Sequence, residues 1–268
     1  PEVVENNIPL LWPNMDVEGK TTNTGDGLKL GSWVGAKIQQ YHAPMIHHMG
    51  AGGGKMGVMG IACFLQLEAD GKHFRNECIP GQQIENQIEM LKGMYAYQIF
   101  DSKWKEELAW MPQAHGQPPS TTSQADVDKA VEAGDCVKAD TIEALLDQLD
   151  IDETAALASI VRYNELAHKG KDDDFGKPAK RLFPLETGPF YAIKFTPAPM
   201  LVCIGGLESD ENCHTFDKDR NVIPGLYVAG NIMGNRYSVQ YPISCPGISH
   251  ALCMFYGKVA GANAVAGI

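Results

Sequence analysis

The sequence predicts an α+β fold in which a helix-rich insert separates two pieces of a second domain. Three features point to it. Strand-like apolar runs at 61–68, 190–196, 201–204 and 226–229 lie on either side of the chain's middle. Two amphipathic helices, Thr141 to Leu149 and Asp152 to His168, follow one another in that middle. The closing stretch passes from a short apolar run, Gly225 to Gly230, through a proline-bearing loop into Gly247-Ile-Ser-His-Ala-Leu, which reads as a strand, a glycine turn and the start of a buried closing helix.

In chain order, residues 1–20 are helix-poor and contain proline. Thr21-Thr-Asn-Thr-Gly-Asp-Gly27 precedes an apolar-periodic run (Leu28, Leu30, Trp33, Val34, Ile38), so the Asn/Thr/Asp cluster is expected to cap a buried helix from about 26 to 38. Gly31, Ser32, Gly35 and Ala36 would let it pack closely. The glycine-rich stretch 49–60 lacks a Lys-Ser/Thr pair and is no phosphate loop. Residues 61–68 read as a strand and Asp70-Gly71 as a turn. A polar helical region follows at 80–95, a loop at 113–125 and a short helix from Asp126 to Ala133. Thr141 is placed to cap the first of the paired helices, and Leu157, Ile160, Val161, Tyr163 and Leu166 give the second its apolar face.

The chain has 268 residues, 44% of them hydrophobic and 21% charged, which suits a globular core. A net charge of −11 argues against nucleic acid or an anionic membrane surface as partner. No apolar run reaches membrane-spanning length and no signal peptide opens the chain, which begins without Met and is expected to be cut from something longer. Seven cysteines without a CxxC pair suggest neither a disulfide framework nor a zinc site; most are expected to be small buried hydrophobes.

The closing segment is where chemistry is expected. Ser249 is read as the cap of the last helix, whose free N–H groups and positive dipole end would receive an electron-rich ring or an anion. His42, His47 and His48 cluster in sequence, but their spacing, with no carboxylate nearby, is poor for a metal. His250 sits in the helix start, and His214 in a polar turn where it is expected to be solvated.

Several short motifs then occur in one order: Thr21-Thr-Asn-Thr-Gly-Asp-Gly, Asp70-Gly-Lys-His-Phe-Arg-Asn-Glu77, Arg162-Tyr-Asn-Glu with Gly170-Lys-Asp-Asp-Asp-Phe-Gly-Lys177, Pro189-Phe-Tyr-Ala-Ile-Lys194, and the closing segment 221–261. Together they resemble the fumarate reductase/succinate dehydrogenase flavoprotein family, which includes urocanate reductases and 3-ketosteroid dehydrogenases. The resemblance implies an FAD-dependent oxidoreductase. It implies a helix-rich capping domain inserted into the carboxyl-terminal remainder of an FAD-binding α/β domain, whose GxGxxG half has no counterpart in this chain. The expected division is 1–40 for the end of the first FAD-domain stretch, 41–188 for the cap and 189–268 for the returning segment.

Position by position, the resemblance places Gly230 and Asn231 on the family's AGE turn along the ribityl chain. Gly247, Ile248 and Ser249 would offer backbone N–H groups to the flavin's carbonyl edge. The family's donor arginine would fall within Cys78-Ile79-Pro80-Gly81, which has none, and its HHTMGG reads Leu201-Val-Cys-Ile-Gly-Gly206. A dicarboxylate clamp is therefore absent, and fumarate is not the expected substrate. The loop Tyr241-Pro-Ile-Ser-Cys-Pro-Gly247 is closer to the ketosteroid dehydrogenase pattern. There Tyr241 reads either as a hydrogen-bond donor to a substrate carbonyl or as a core tyrosine. Arg236 reads as proton donor, anion partner or salt-bridge residue, and His42 as the nearest match to a substrate-contacting HP motif.

The expected function is reduction of a conjugated C=C bond in a small, enone-like acceptor. A ketosteroid-type dehydrogenase running oxidatively and a flavin-less binding module are the alternatives. The resemblance adds a haem or other electron-donor protein as partner and export by bacteria. An open-edged piece leaves self-association open, and FAD binding by these residues alone is expected to be weak or absent.

Overall fold

The computed structural model describes residues 25–39, 46–51, 57–60, 62–79, 87–88, 90–111, 120–202, 205–237, 242, 245 and 247–268. The chain divides into two compact units, 48–198 and 1–47 with 199–268.

The unit of residues 48–198 is built on a five-stranded sheet. Along the chain come β1 (Ile46–Ala51), β2 (Leu65–Glu68), β3 (Ala96–Phe100), β4 (Val137–Ala139) and β5 (Phe190–Val202). Their order is β1-β5-β3-β2, with β4 pairing the first residues of β5. The register sets Leu65 against Ile99 and Ile99 against Ala192. Alternation along β3 and β5 sends Phe100, Tyr191, Ile193 and Phe195 to one face and Tyr97, Ile99, Phe190 and Ala192 to the other. Trp104 and Leu108 from α2 (Trp104–Leu108) and Val127 from α3 (Gln124–Glu132) cover the first face. Leu145 of α4 (Ile142–Leu146) and Ile160, Tyr163 and Leu166 of α5 (Glu153–Lys169) cover the second.

Caps fix the helix ends. Ser123 and Asp126 form a reciprocal capping box on α3, Thr141 accepts from the Ala144 N–H, and Asp152 accepts from the Ala155 N–H. Gly170, at φ +70°, closes α5. Gly71, at φ +75°, lets its turn press on the start of α5, where an added Cβ would lie 2.5 Å from Ala156 N and Asp152 O.

Two expectations change here. The insert is a sheet clad by helices rather than mostly helix, because strands buried on both faces lose the polar alternation that announces a strand. α3 begins two residues earlier than expected, where Ser123 caps it. Of the polar helical region expected at 80–95, residues 80–86 and 89 lie outside the described residues, and the rest include a helical pair, 87–88, and a 3-10 turn, Lys92–Met94.

The other unit holds α1 (Asp26–Trp33), the hairpin β6 (His214–Phe216) with β7 (Val222–Tyr227), and α6 (Ile248–Ala266). Gly25, in the left-handed region, is the N-cap of α1, and no side chain caps it. α1 ends at Trp33, short of the expected 38, and Gly31 is its one buried residue. Trp33 is 76% exposed. The expected buried helix is therefore mostly an exposed one, touching the unit through its glycine side: a Cβ at Gly31 would lie 2.5 Å from Leu207 Cδ1. α6 likewise buries none of its residues, contrary to the expected buried closing helix. Tyr256, Val259 and Ala260 pack on the small core of Leu207, Cys213, Val228 and Met233. Met254, Phe255 and Val265 face outward, since nothing among the described residues of the unit covers them.

Candidate functional site

A close crossing of backbone builds the site in the smaller unit. Residues 205–207 run between Ile38 and Met233: Gln39 N donates to Gly206 O, Leu207 N to Ile232 O, and Gly234 N to Leu207 O. A Cβ on Gly206 would stand 1.9 Å from Ile232 O, and one on Gly234 2.5 Å from Leu207 O. Glycine at both positions is what permits the approach. The crossing holds the turn Gly230–Ile232, which follows β7 and is entered through Gly230 at φ +83°.

Asn231, on that turn, collects three donors on its Oδ1. Ser249 Oγ donates from 2.8 Å, Arg236 Nη2 from 3.3 Å and Cys253 Sγ from 3.6 Å. With Oδ1 so occupied, Asn231 has only its Nδ2 donors to offer a ligand. Arg236 is steadied by Nε donating to Met233 O at 3.1 Å, and its Cζ lies 5.2 Å from the Tyr237 ring centre. Its Nη1 is buried without a hydrogen-bond partner among the described residues. No carboxylate pairs with Arg236 among them.

The start of α6 meets this knot. Gly247, at φ +80°, is the N-cap, and no side chain caps the helix. Ser249 is therefore not the cap, as expected from sequence, because it lies inside the first turn; its hydroxyl serves Asn231 instead. The Ile248 N–H turns back to Cys245 O at 3.2 Å. The uncapped helix start, the guanidinium with an unused buried N–H and the amide left with only its Nδ2 to offer are donors that no carboxylate meets among the described residues. That combination suits an electron-rich or anionic group.

Of the residues singled out in the sequence, Gly230, Asn231, Arg236, Gly247, Ile248 and Ser249 come together here. Tyr241 and His42 lie outside the described residues. His250 is exposed on the first turn of α6. His214 is not free in solvent: on β6, its Nδ1 lies 2.9 Å from Asp210 Oδ2, and that hydrogen bond raises its pKa. Cys63, Cys136 and Cys213 are buried as expected, whereas Cys78 and Cys253 are half-buried and Cys245 is exposed.

Sequence reasoning missed a second polar centre, inside the larger unit. Lys177 and Glu77 are fully buried and paired at 2.9 Å. Lys177 Nζ also donates to Tyr163 OH, 2.9 Å away, and to the Cys63 carbonyl. Glu77 Oε1 accepts from Gln66 N at 3.0 Å and lies 2.9 Å from His73 Nε2. Burial alone would raise the Glu77 pKa, but the Lys177 ammonium and His73 together hold it at about 2. Asp172 shapes the loop that delivers Lys177, accepting from the N–H groups of Asp174, Phe175 and Lys177. The signal was present in Gly170 to Lys177 and in Glu77, but not which of their many charges turn inward. Among the described residues no cluster of His, Cys, Asp and Glu could hold a metal. None of their helices is long and apolar enough to cross a membrane.

Comparison with known proteins adds the following. The model of a family described as FAD binding domain matches residues 13–245. The 3-oxosteroid 1-dehydrogenase of Mycolicibacterium smegmatis is 28% identical over 92% of this chain and 47% of its own length. The vinyl phenol reductase of Lactiplantibacillus plantarum is 33% identical over 54% of this chain and 29% of its own. The open conformation of a flavocytochrome c3 fumarate reductase superposes on 98% of this chain and 43% of that one, with a TM-score of 0.63 at 22% identity. The chain thus spans less than half the length of these relatives.

Proposed function

This chain belongs to the FAD binding domain family, whose cofactor is FAD, and from that premise we propose that it supplies the ring-binding end and the substrate cap of an oxidoreductase that reduces a conjugated C=C bond in a neutral, enone-like acceptor. Its family is one of FAD-dependent oxidoreductases that holds both C=C reductases and steroid dehydrogenases. The carrying observation is the knot of Asn231, Arg236 and the α6 start, whose remaining donors meet no carboxylate among the described residues. Its unused donors fit the oxygen- and nitrogen-rich edge of a flavin. On this reading the turn Gly230–Asn231 holds FAD along its chain, and the N–H groups of Gly247 and Ser249 face the ring's carbonyl edge, which the Ile248 N–H reaches by leaving Cys245 O. Bound FAD supplies the hydride.

The chain's own groups do the rest. Arg236, always cationic, serves as the anion partner beside the ring. The Tyr241 hydroxyl and a backbone N–H polarise the substrate carbonyl, with His42 on the substrate side. Such neutral donors favour a ketone over a dicarboxylate, because they stabilise the charge that develops on oxygen without a cationic clamp. Residues 41–188 are the cap and 189–268 the returning segment, in a protein that carries the GxGxxG half elsewhere; a haem or other donor protein feeds it electrons. A second reading, oxidation of a ketosteroid-like substrate by the same groups, is favoured by the Tyr241-Pro242 loop and by the extent of the match to the 3-oxosteroid dehydrogenase.

The test is anaerobic reoxidation of the reduced flavin in the complete flavoprotein. An α,β-unsaturated ketone should reoxidise it and fumarate should not. Equal or faster reoxidation by fumarate overturns the acceptor assignment, and reduction of the oxidised flavin by a saturated ketosteroid selects the second reading. Loss of bound flavin in Asn231→Ala, measured by absorbance, tests the site independently of turnover.

A further inference from the structure

The larger unit carries a concavity of its own. A cleft of about 410 Å³ opens between α5, the segment Lys72–His73 and the loop that ends in Phe175. That volume lies in the range of small-molecule sites. Its walls are held in place. Asp172 accepts from the N–H groups of Asp174 and Phe175, and the Phe175 carbonyl accepts from Asn76 Nδ2 at 3.4 Å. His73 stands between two rings, with centroids 4.6 Å from Phe175 and 5.7 Å from Tyr163, both edge to face. Its Nε2 is engaged by Glu77 at 2.9 Å, so the imidazole is not free to turn. Ser159 Oγ donates to Gly71 O at 2.8 Å, tying α5 to the turn before Lys72. Phe175 is nevertheless 39% exposed. With Leu166 and Ala158 also lining the cleft, its ring is part of an apolar wall rather than an isolated surface phenylalanine.

The charges of the lining run against those of the molecule. The chain carries a net −11, yet Lys72 and Arg162 face Asp174 as the carboxylate among the described lining residues. Asp174 is already met: Arg162 Nε and Nη2 donate to its two oxygens at 3.0 and 2.9 Å. Lys72 is exposed, and no carboxylate pairs with it among the described residues. An ammonium without a counter-ion beside an aromatic-walled cleft describes the two ends of one ligand, a flat ring within and an anion at the edge.

We propose that this cleft binds a small aromatic carboxylate. The ring packs on Phe175, Leu166 and Ala158, and the carboxylate accepts from Lys72 Nζ. Arg162 keeps Asp174 and shapes the edge. A phosphate is disfavoured, because one free cation is too few for it and the apolar wall would stay wet. All the residues involved belong to the unit 48–198, which contains neither Asn231 nor Arg236, so this site stands or falls separately from the flavin reading.

The probe is benzoate, titrated into the chain at pH 7 and followed by calorimetry and by the methyl resonances of Ala158 and Leu166. It should bind with a dissociation constant of about 1 mM or below, which so small a ligand reaches at ordinary efficiency. Benzamide has the shape without the charge and should bind about threefold more weakly. Acetate has the charge without the ring and should not bind measurably. Lys72→Gln should weaken benzoate about threefold, and Phe175→Ala about fivefold or more. Lys105→Gln, at an exposed lysine of α2, should leave it unchanged. Circular dichroism reports the folding of each variant, and the comparison of the three ligands on the unmodified chain needs no variant. Failure of benzoate to bind at about 10 mM, benzamide or acetate binding as tightly, or an affinity that Lys72→Gln lowers no more than Lys105→Gln does, overturns the proposal.

Discussion

Lys177 is fully buried at the polar centre of the larger unit. Its ammonium meets a carboxylate, a phenol and a main-chain carbonyl with no access to water. Replacing it by methionine leaves Glu77 buried without its cation, a loss of about 3–5 kcal/mol. The pH dependence has a definite sign. Glu77 ionises at about 2 when folded and near 4.3 unfolded, so its contribution is full above about pH 4.3 and is lost as the pH falls towards 2. Lys177 is raised when folded: burial opposes its charge, but Glu77 and Tyr163 more than offset that, so its contribution is full below about pH 10.4 and is lost only above it. The melting temperature of Lys177→Met should therefore lie well below that of the unmodified chain at pH 7, and the gap should narrow as the pH approaches 2. A gap independent of pH would mean that packing, not charge, is what the lysine contributes. Glu107 has the opposite sign. Burial and the nearby Asp101 raise it to about 7, so the native state prefers it protonated and loses stability as the pH rises from about 4.3 through 7. Glu107→Gln should raise the melting temperature at pH 8 and leave it unchanged at pH 4.

At the scale of elements, what could be read from sequence was what is written locally. Asp152 and Gly170 bracket α5 because a cap and a left-handed stop are chosen by residues within four positions of the helix end. β3 was missed for the converse reason: Ala96-Tyr-Gln-Ile-Phe100 is buried throughout, and its two-residue period separates two apolar cores rather than oil from water. The burial of α1 and α6 was misread because an apolar helix announces that something should cover it, without saying what. In the site, the glycines and the helix start were legible, but the three hydrogen bonds on Asn231 Oδ1 were not. They join residues 5 to 22 positions apart and depend on where the backbone crossing sets the turn. That crossing can be tested. Gly206→Ala would place a methyl 1.9 Å from Ile232 O, which no side-chain rotation relieves. It should cost about 1–3 kcal/mol or more and displace Asn231, so that the complete flavoprotein retains less flavin after gel filtration. Full retention with unchanged stability would show that the crossing is looser than its hydrogen bonds indicate.

The two units differ in how far each closes on itself, and the whole molecule should show it. Residues 48–198 bury an apolar cluster on each face of one sheet, with Trp104, Phe100 and Leu67 almost wholly enclosed. Among its described residues the other unit has one small cluster, and its helix α6 leaves Met254 73% and Val265 91% exposed. Apolar surface of that kind contributes about 25 cal/mol per Å² only once it is covered. Until then the helix is held to the unit by one face, by the hydrogen bonds of Ser249 and Cys253 to Asn231 at its start, and by those of Cys213 Sγ to Tyr256 O, Tyr227 OH to Ile268 O and Asn263 Nδ2 to Asn212 O further along. Local opening should therefore be easier in residues 205–268 than in 48–198. Limited proteolysis of the chain at low protease concentration should remove the carboxyl-terminal segment first and leave a resistant core within 48–198, identified by mass. Sedimentation velocity of the intact chain should show association that grows with concentration, since the uncovered faces of α1 and α6 are the surfaces a second copy can share. Early cleavage inside 48–198, or a strictly monomeric chain whose carboxyl-terminal helix resists the protease, would mean that α6 is held by more than the contacts seen here.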